Sequence, residues 1–212
     1  MKKQSFILIL FLISTFSFGQ NAKTLLNEVS QKVKSYNNIS IDFKYIVDIP
    51  GENIRQETRG DVILEGDKYV LNMMGSTRIF DGNLIYTIVP EDEEVTVSKY
   101  NPQDDMEITP SKMLTFYEKG YNYKMDIEQT VKGRKIQYIR LTPTNTNADI
   151  KHILLGIDIQ TKHIYKLIQT DKNDNQFTIT VNSFKTNQPL SKTLFNFDES
   201  RYKNDGYYIN KL

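Results

Sequence analysis

The sequence predicts a mainly β (α+β) fold, an antiparallel sheet, curled or closed, of about ten or eleven strands. Two helical segments accompany it, one at the start and one short insertion. Three observations support this. Apolar residues alternate with a period of two from residue 39 onward, short turns rich in Gly, Pro, Asp and Asn recur at regular spacing, and only two stretches carry a helical pattern. Such spacing is typical of antiparallel sheets and not of parallel α/β sheets.

The first residues have the order of a secretory signal peptide. Lys2 and Lys3 supply a short positive region, and an unbroken apolar run follows from Phe6 to Ile13. Ser17 and Gly19 stand at positions −3 and −1 of a cleavage after Gly19. A positive region, an apolar core and small residues before the cleavage point define such signals. We therefore expect a signal peptide over residues 1–19.

The alternative for this segment is an uncleaved membrane anchor. Its apolar core, even when extended to residue 18, covers 13 residues, short of the roughly 20 that span a bilayer. The sequence has no cysteine, so the signal cannot be that of a lipoprotein and no disulfide can form. We expect residues 20–212 to form a single soluble domain without a lipid anchor, located in the periplasm.

The charge of the expected mature chain is close to neutral. Without the two lysines of the signal, 25 basic residues stand against 26 acidic ones, a net charge of −1. Such a balance gives no broad field that attracts nucleic acid or an anionic membrane. We expect neither as a partner.

The first element after the signal is a helix from Ala22 to about Tyr36. Leu25, Leu26 and Val29 lie on one stripe of it, and Asn37 with Asn38 ends it. The period then changes to two, because apolar residues alternate with polar ones from Ile39 to Val47. The following strands are predicted at Thr58–Leu64, Lys68–Met73, Thr77–Phe80, Leu84–Val89 and Glu94–Tyr100.

Short turns separate these strands. The strongest hairpin signal is Asp81-Gly82 between two apolar runs, because a tight turn needs a positive φ. A helix-start signal interrupts the β pattern, with Thr109 as N-cap and Pro110 at the first helical position. Further strands are predicted from Tyr121 onward, at Lys135–Thr142, Ile150–Ile159, His163–Thr170 and Phe177–Phe184, with a last short apolar stretch at Leu194–Phe197.

Residues able to carry catalysis are few. His152 and His163 are the two histidines; they lie in neighbouring predicted strands and could come close across a hairpin, but no third metal ligand has a matching spacing. The acidic groups Asp104, Asp105, Glu107 and Glu91–Glu94 fall in turn-like stretches, where charge is usually solvated. Asp171-x-Asn173-x-Asn175 lacks the Gly and Glu of a calcium loop and predicts a hairpin turn. We expect no enzyme, no metal and no cofactor.

Aromatic and aliphatic side chains at alternate strand positions are abundant, with 13 Tyr, 11 Phe and 6 Met. A packed β core explains such a pattern for any single residue. Whether the apolar face is filled or encloses a cavity depends on the size of the curled sheet. Composition alone does not decide between the two.

Several segments resemble one known family in order and spacing. They are LLNEVSQKVKSYNNISIDFKY, RGDVILEGDKYVLNM, IFDGNLIYTIVPEDEEV, TPSKMLTFYEKG, YIRLTP and LFNFDES. Together they run from the first helix to about Phe197 and resemble the periplasmic lipoprotein carrier LolA in its Bacteroidetes-type form. The resemblance implies an incomplete, strongly curved antiparallel β-barrel, capped by the N-terminal helix and a short helical lid.

The resemblance also implies a function. It indicates a non-catalytic carrier that shelters lipoprotein acyl chains, or other lipids, in an apolar cavity and moves them from the inner to the outer membrane. An inner-membrane ABC exporter would load it, the outer-membrane acceptor is not indicated, and a monomer is expected. The family's Arg-Pro pair after the second strand, whose Arg latches the lid, is replaced here by Glu65-Gly66-Asp67.

Projection of the strand alternation onto this fold predicts the residues that line the cavity. We expect the first helix only to rim it through Leu25, Leu26 and Val29. The predicted acyl-chain cavity consists of Phe43, Tyr45, Val47, Val62, Leu64, Tyr69, Leu71 and Met73 from the strands and of Met113, Leu114 and Phe116 from the lid. A bulge would exchange the two faces of a strand, so parity is the assumption on which this set depends.

Two other functions remain open from the sequence. One is a lipid-sensing protein, or a binding protein of a specialised lipid or pigment pathway, with the same fold. The other is an exported hydrolase that uses His152 and His163 or the acidic cluster.

Overall fold

The computed structural model describes residues 21–101 and 109–212, and this part of the chain is mostly β. The strands are β1 (Ile39–Ile49), β2 (Ile54–Glu65), β3 (Lys68–Met73), β4 (Ser76–Phe80), β5 (Leu84–Val89), β6 (Glu94–Lys99), β7 (Tyr121–Val131), β8 (Arg134–Pro143), β9 (Ile150–Asp158), β10 (Ile164–Asp171), β11 (Gln176–Thr186) and β12 (Tyr208–Lys211).

Three α-helices accompany the strands within the described residues. They are α1 (21–34), α2 (Pro110–Met113) and α3 (Glu199–Asn204). Thr109 caps α2 with its side chain, which accepts from the backbone N–H of Lys112 at 3.3 Å, and Asp198 caps α3 in the same way through Arg201. One-turn 3₁₀ segments lie at Pro50–Glu52, Pro90–Asp92 and Phe116–Glu118.

All twelve strands belong to one sheet. Its order is β12-β6-β5-β4-β3-β2-β1-β11-β10-β9-β8-β7, so β12 and β7 are the edges and the sheet is open. Strands β2 to β6 and β7 to β11 form two antiparallel meanders, whereas β12 pairs parallel with β6. The predicted fold class, a mainly β open sheet with few helices, is confirmed.

The C-terminal region holds more structure than the sequence predicted. The apolar stretch Leu194–Phe197 forms a turn and irregular chain, and its apolar side chains pack on the sheet. The helix α3 and the strand β12 were not predicted. Both are short, and β12 takes its conformation from pairing with β6, which no local pattern indicates.

The chain is made of two compact units. In the first, which holds α1 and β7 to β10, the register pairs Ile139 with Leu155 and Leu141 with Ile153. All four side chains are buried, as are Leu26 and other residues of α1. These residues form the core of the first unit.

The second unit contains β3 to β6, β12 and the adjoining parts of β1, β2 and β11. One face of its sheet carries a buried cluster of Val70, Ile79, Ile88, Val95, Val97 and Phe195. Leu194, Phe197, Tyr202, Tyr207 and Ile209 of the C-terminal segment pack against this cluster. The chain therefore covers this face with its own C-terminus.

Two groups of predicted features lie outside the described residues. They are the signal peptide over residues 1–19 and the acidic cluster of Asp104, Asp105 and Glu107. Over residues 21–101 and 109–212, no helix has the length and apolar character needed to cross a membrane.

Candidate functional site

The candidate site lies on the sheet face of the second unit that is opposite to the C-terminal cover. Residues directly opposite each other in neighbouring strands share a face, and the register pairs Gly60 with Met73, Val62 with Leu71, and Leu64 with Tyr69. The sheet thus places the five predicted residues of β2 and β3 on one face. Ile63 and Val70 pair on the other face, in the cluster that the C-terminal segment covers.

Phe43 of β1 lies on the same face. A Cβ atom built on Gly60 would come within 2.6 Å of Phe43 Cζ and 2.7 Å of the Asn72 carbonyl oxygen. Real Cβ atoms essentially never approach so closely, so the Phe43 ring occupies the space above Gly60. Glycine is used in strands where another group must come this near. The close approach explains why β2 carries a glycine at this position.

The candidate face is packed at one end and half-buried at the other. Val62, Leu64 and Tyr69 are 5%, 4% and 1% exposed, whereas Phe43, Leu71 and Met73 are only half-buried. A groove of about 580 Å³ lies beside the half-buried end, but most of the residues that line it belong to the opposite face of the sheet or to the turn between β3 and β4. Its lining includes Phe43 and Met73.

Polar groups surround this groove as well. Asp61 and Asn72 pair across β2 and β3, and the Asn72 amide donates to Asp61 at 2.9 Å. Thr77 in turn donates to the Asn72 amide oxygen at 2.8 Å. Asp42, Arg59 and Asn182 complete the polar part of the lining. By the register, Asp61, Asn72 and Thr77 lie on the face opposite to Val62 and Leu71, so the groove is mainly a polar feature of that face and not an extension of the candidate face.

Aromatic rings that sequence reasoning missed extend the packed end. Phe80 lies opposite Tyr69 in the register, with ring centroids 5.7 Å apart, and Tyr100 lies 4.9 Å from Phe80. Ile79 and Phe80 are adjacent and both apolar, so alternation alone could not say which of them faces the site. Knowledge of the β3–β4 register would have identified Phe80.

The predicted lid is divided between the two units. Met113 and Leu114 belong to the second unit. There α2 lies against β3. The Lys112 ammonium is 5.6 Å from the centre of the Tyr100 ring. Phe116 belongs to the first unit, as does Val47, and both are half-buried. Tyr45, in the second unit, is half-buried, and burial raises its pKa. The role of the whole predicted set as acyl-chain lining stays a prediction.

The turn at Phe116–Glu118 is held at two points within the first unit. The Glu118 carboxylate accepts hydrogen bonds from Ser30 Oγ and, at 2.6 Å, from Lys34 Nζ, both on α1. These bonds, from Lys34 first and Ser30 second, lower the pKa of Glu118. The Tyr123 hydroxyl donates to the Tyr117 carbonyl oxygen at 2.8 Å. The turn is thereby fixed to α1 and to β7.

The two histidines lie at opposite ends of their hairpin. His152 of β9 pairs with Thr170, while His163 precedes β10 at the turn. At about 3.3 Å per residue, the seven residues from His163 to Thr170 separate the histidines by roughly 20 Å. The expectation that they could come close is wrong. The pairing of β9 with β10 starts at the turn, so His163 lies beside the turn and His152 lies near the far end of the hairpin. Burial lowers the pKa of both.

The remaining acidic candidates form turns. The Asp171 carboxylate accepts from the backbone N–H groups of Asn173 and Asn175 at 2.8 and 2.9 Å, which confirms the predicted hairpin turn. Glu91, Asp92 and Glu93 are exposed in and after a 3₁₀ turn. Among the residues that the structure describes, no three His, Asp or Glu side chains come together as a metal site would require.

Comparison with known proteins gives the chain its family. The model of the outer membrane lipoprotein carrier protein LolA matches residues 34–198, whereas no curated protein matches the chain. Among solved structures, an uncharacterized conserved protein from Thermus thermophilus superposes with a TM-score of 0.58 at 8% identity, over 88% of this chain and 98% of that one.

LprF from Mycobacterium bovis superposes with a TM-score of 0.51 at 12% identity, over 82% of this chain and 98% of that one. At such identities these two likenesses show the fold alone. The family model, in contrast, covers most of the sequence. LolA-family proteins are generally non-enzymatic carriers or binding proteins and are periplasmic or otherwise associated with the cell envelope. The chain belongs to the LolA family of outer membrane lipoprotein carrier proteins.

Proposed function

We propose that this protein is a periplasmic, non-catalytic carrier that shelters the acyl chains of lipoproteins and moves them from the inner to the outer membrane. An inner-membrane ABC exporter would load it. The observation that carries the proposal is the one-sided placement of Phe43, Val62, Leu64, Tyr69, Leu71 and Met73 in a LolA-family chain.

The physical need for a carrier is large. Each methylene group transferred from water to an apolar surface contributes about 0.8 kcal/mol, so a C16 chain exposes roughly 12 kcal/mol of unfavourable hydration. A binding face that is half-buried at one end offers apolar contacts without a fully packed interior. Met73 lies at that end, and the flexible methionine side chain adapts to chains of different shape.

The chemistry of the described residues supports binding over catalysis. The two histidines lie at opposite ends of a hairpin, and the Asp171 carboxylate is occupied by its own turn. A general acid or base must lie within hydrogen-bond reach of a reacting group, with a partner that orients it. The candidate face is lined instead by aliphatic and aromatic side chains.

A charge on the candidate face tests the proposal. We expect Leu71→Asp to weaken binding of a fluorescent dipalmitoyl lipopeptide at least tenfold, because an ionised carboxylate is poorly solvated beside acyl chains. Fluorescence titration of the purified protein measures the affinity, and circular dichroism verifies that the variant is folded.

Ile127→Asp is the matched control. Ile127 lies in the edge strand β7 and is 54% exposed, so the same change of side chain there should leave the affinity within twofold of the wild type. If Leu71→Asp, Ile127→Asp and the wild type bound the lipopeptide equally well, the candidate face would not be part of the lipid-binding site. An absence of binding by the wild type would contradict the carrier function itself.

A further inference from the structure

One buried hydroxyl in the first unit has no hydrogen-bond partner. Tyr117 is 1% exposed, and its phenolic oxygen is the single buried side-chain nitrogen or oxygen without a partner in residues 21–101 and 109–212. An unsatisfied buried polar group lowers stability by about 1–3 kcal/mol, a loss that phenylalanine at the same position would avoid. The hydroxyl therefore needs an explanation other than packing.

The surroundings of Tyr117 fix its backbone and leave its hydroxyl unused. Its carbonyl oxygen accepts from Tyr123 at 2.8 Å, and the next residue, Glu118, is bound to Ser30 and Lys34 of α1. The Phe116 ring lies 5.6 Å from the Tyr117 ring in an edge-on arrangement. A donor whose backbone is held at two points and whose ring packs against Phe116 is preorganised for an acceptor that the chain itself does not supply.

The protonation state suits a donor. Burial, and secondly the charge of Glu118, raise the pKa of Tyr117 far above its ordinary value of 10.0. The phenol therefore keeps its proton throughout the pH range of the cell envelope. It can donate one hydrogen bond, and the acceptor that matches a neutral donor in apolar surroundings is a carbonyl oxygen.

We propose that the Tyr117 hydroxyl donates a hydrogen bond to an ester carbonyl oxygen of the carried lipid, and thereby selects acyl esters over plain hydrocarbon chains. This inference rests on the proposed carrier function, which brings such carbonyl groups into the protein. Ester carbonyls occur both in diacylglyceryl lipopeptides and in glycerophospholipids, so the same contact serves either source.

The test compares a dipalmitoyl lipopeptide with its dialkyl ether analogue, which lacks the two ester carbonyls. Titration of the wild-type protein and of Tyr117→Phe gives four dissociation constants. We expect the variant to bind the diester about five- to tenfold more weakly, as the loss of one hydrogen bond predicts, and to bind the diether like the wild type. Ligand-free Tyr117→Phe should melt at the same temperature as the wild type or higher.

Tyr138→Phe is the control, because it removes the hydroxyl of another buried tyrosine of the same unit, 4% exposed. Its ratio of diester to diether affinity should equal that of the wild type. The same pair of measurements with a dipalmitoyl glycerophospholipid and its ether analogue identifies which source of ester the protein prefers.

The outcomes are distinct. An unchanged ratio in Tyr117→Phe, as expected if water satisfied the hydroxyl, would overturn the inference, and so would a lower melting temperature of the ligand-free variant. If the wild type bound the diester but Tyr117→Phe lost both ligands equally, the ester contact would also be wrong and the carrier function would stand. If the wild type bound neither ligand, the carrier function itself would be contradicted, and the ester contact with it.

Discussion

At the scale of single residues, two glycines mark the places where aromatic rings lie directly on the sheet. Gly60 lies under Phe43, and Gly156 of β9 lies under Tyr138, its partner in β8. A Cβ atom on Gly156 would lie 2.9 Å from Tyr138 Cε1 and 3.2 Å from a methyl group of Ile136. Tyr138 and Ile136 are themselves buried, so neither side chain can move aside freely.

Gly156→Ala therefore tests the packing of the first unit. Overpacking of a filled core usually lowers stability by about 1–3 kcal/mol, and we expect a decrease of that size in the free energy of unfolding. Urea denaturation followed by circular dichroism measures it.

Gly51→Ala is the control for this substitution. Gly51 is exposed, and a Cβ atom there meets nothing within 4 Å. Gly51→Ala should therefore change the free energy of unfolding of the protein by less than about 0.5 kcal/mol. Equal effects of the two substitutions would show that Tyr138 does not press on Gly156.

Single residues also show where sequence reasoning reaches its limit at the candidate site. Alternation was sufficient to place Val62, Leu64 and Tyr69 on one face, because their strands carry no bulge between them. It could not choose between Ile79 and Phe80, which are adjacent and both apolar. That choice depends on the register with β3, a long-range property that a local pattern does not contain.

At the scale of elements, the strands bounded by clear turns were predicted best. β3 and β5 begin and end at the predicted residues, because Gly- and Asp-rich turns stand on both sides of them. α2 begins where the Thr109 and Pro110 signal placed it. β12 was missed because its four residues form a strand only through parallel pairing with β6, and the Asp205-Gly206 turn before it does not indicate that partner.

The contact between α1 and the turn at Phe116–Glu118 has a pH dependence of known sign. Lys34 and Ser30 lower the folded-state pKa of Glu118 below its ordinary value of 4.5. The ionised carboxylate therefore stabilises the fold at neutral pH, and this contribution is lost as the pH falls below about 4.5 and through the lowered pKa. Because Glu118 and Lys34 are partly exposed, 38% and 61%, the contribution should be small.

We expect Glu118→Gln to lower the free energy of unfolding by about 0.5–1 kcal/mol at pH 7, and the difference from the wild type to vanish toward pH 3. Urea denaturation at a series of pH values measures both. Asp174→Asn is the control, because Asp174 pairs with Lys151 at the same distance of 2.6 Å but is 67% exposed. A difference for Glu118→Gln that persisted at low pH would contradict the assigned ion pair.

At the scale of the whole molecule, the order of the strands explains why a resemblance in sequence could predict the fold. Two antiparallel meanders, β2 to β6 and β7 to β11, follow the order of the chain. Local turns therefore specify most of the pairing. The pairing of β1 with β11 and the return of β12 to β6 are the exceptions, since they join residues far apart in sequence. The family resemblance supplied the incomplete barrel, which the local pattern could not, but it did not predict β12.

The central claim concerns what the protein holds in the cell envelope. The most direct measurement is native mass spectrometry of the full-length gene product, purified from the envelope without detergent, with extraction and identification of any bound lipid. The carrier function predicts complexes whose added mass equals a lipoprotein or another acylated lipid, which organic solvent then releases. Protein recovered repeatedly without lipid, and unable to take up a dipalmitoyl lipopeptide afterwards, would contradict it.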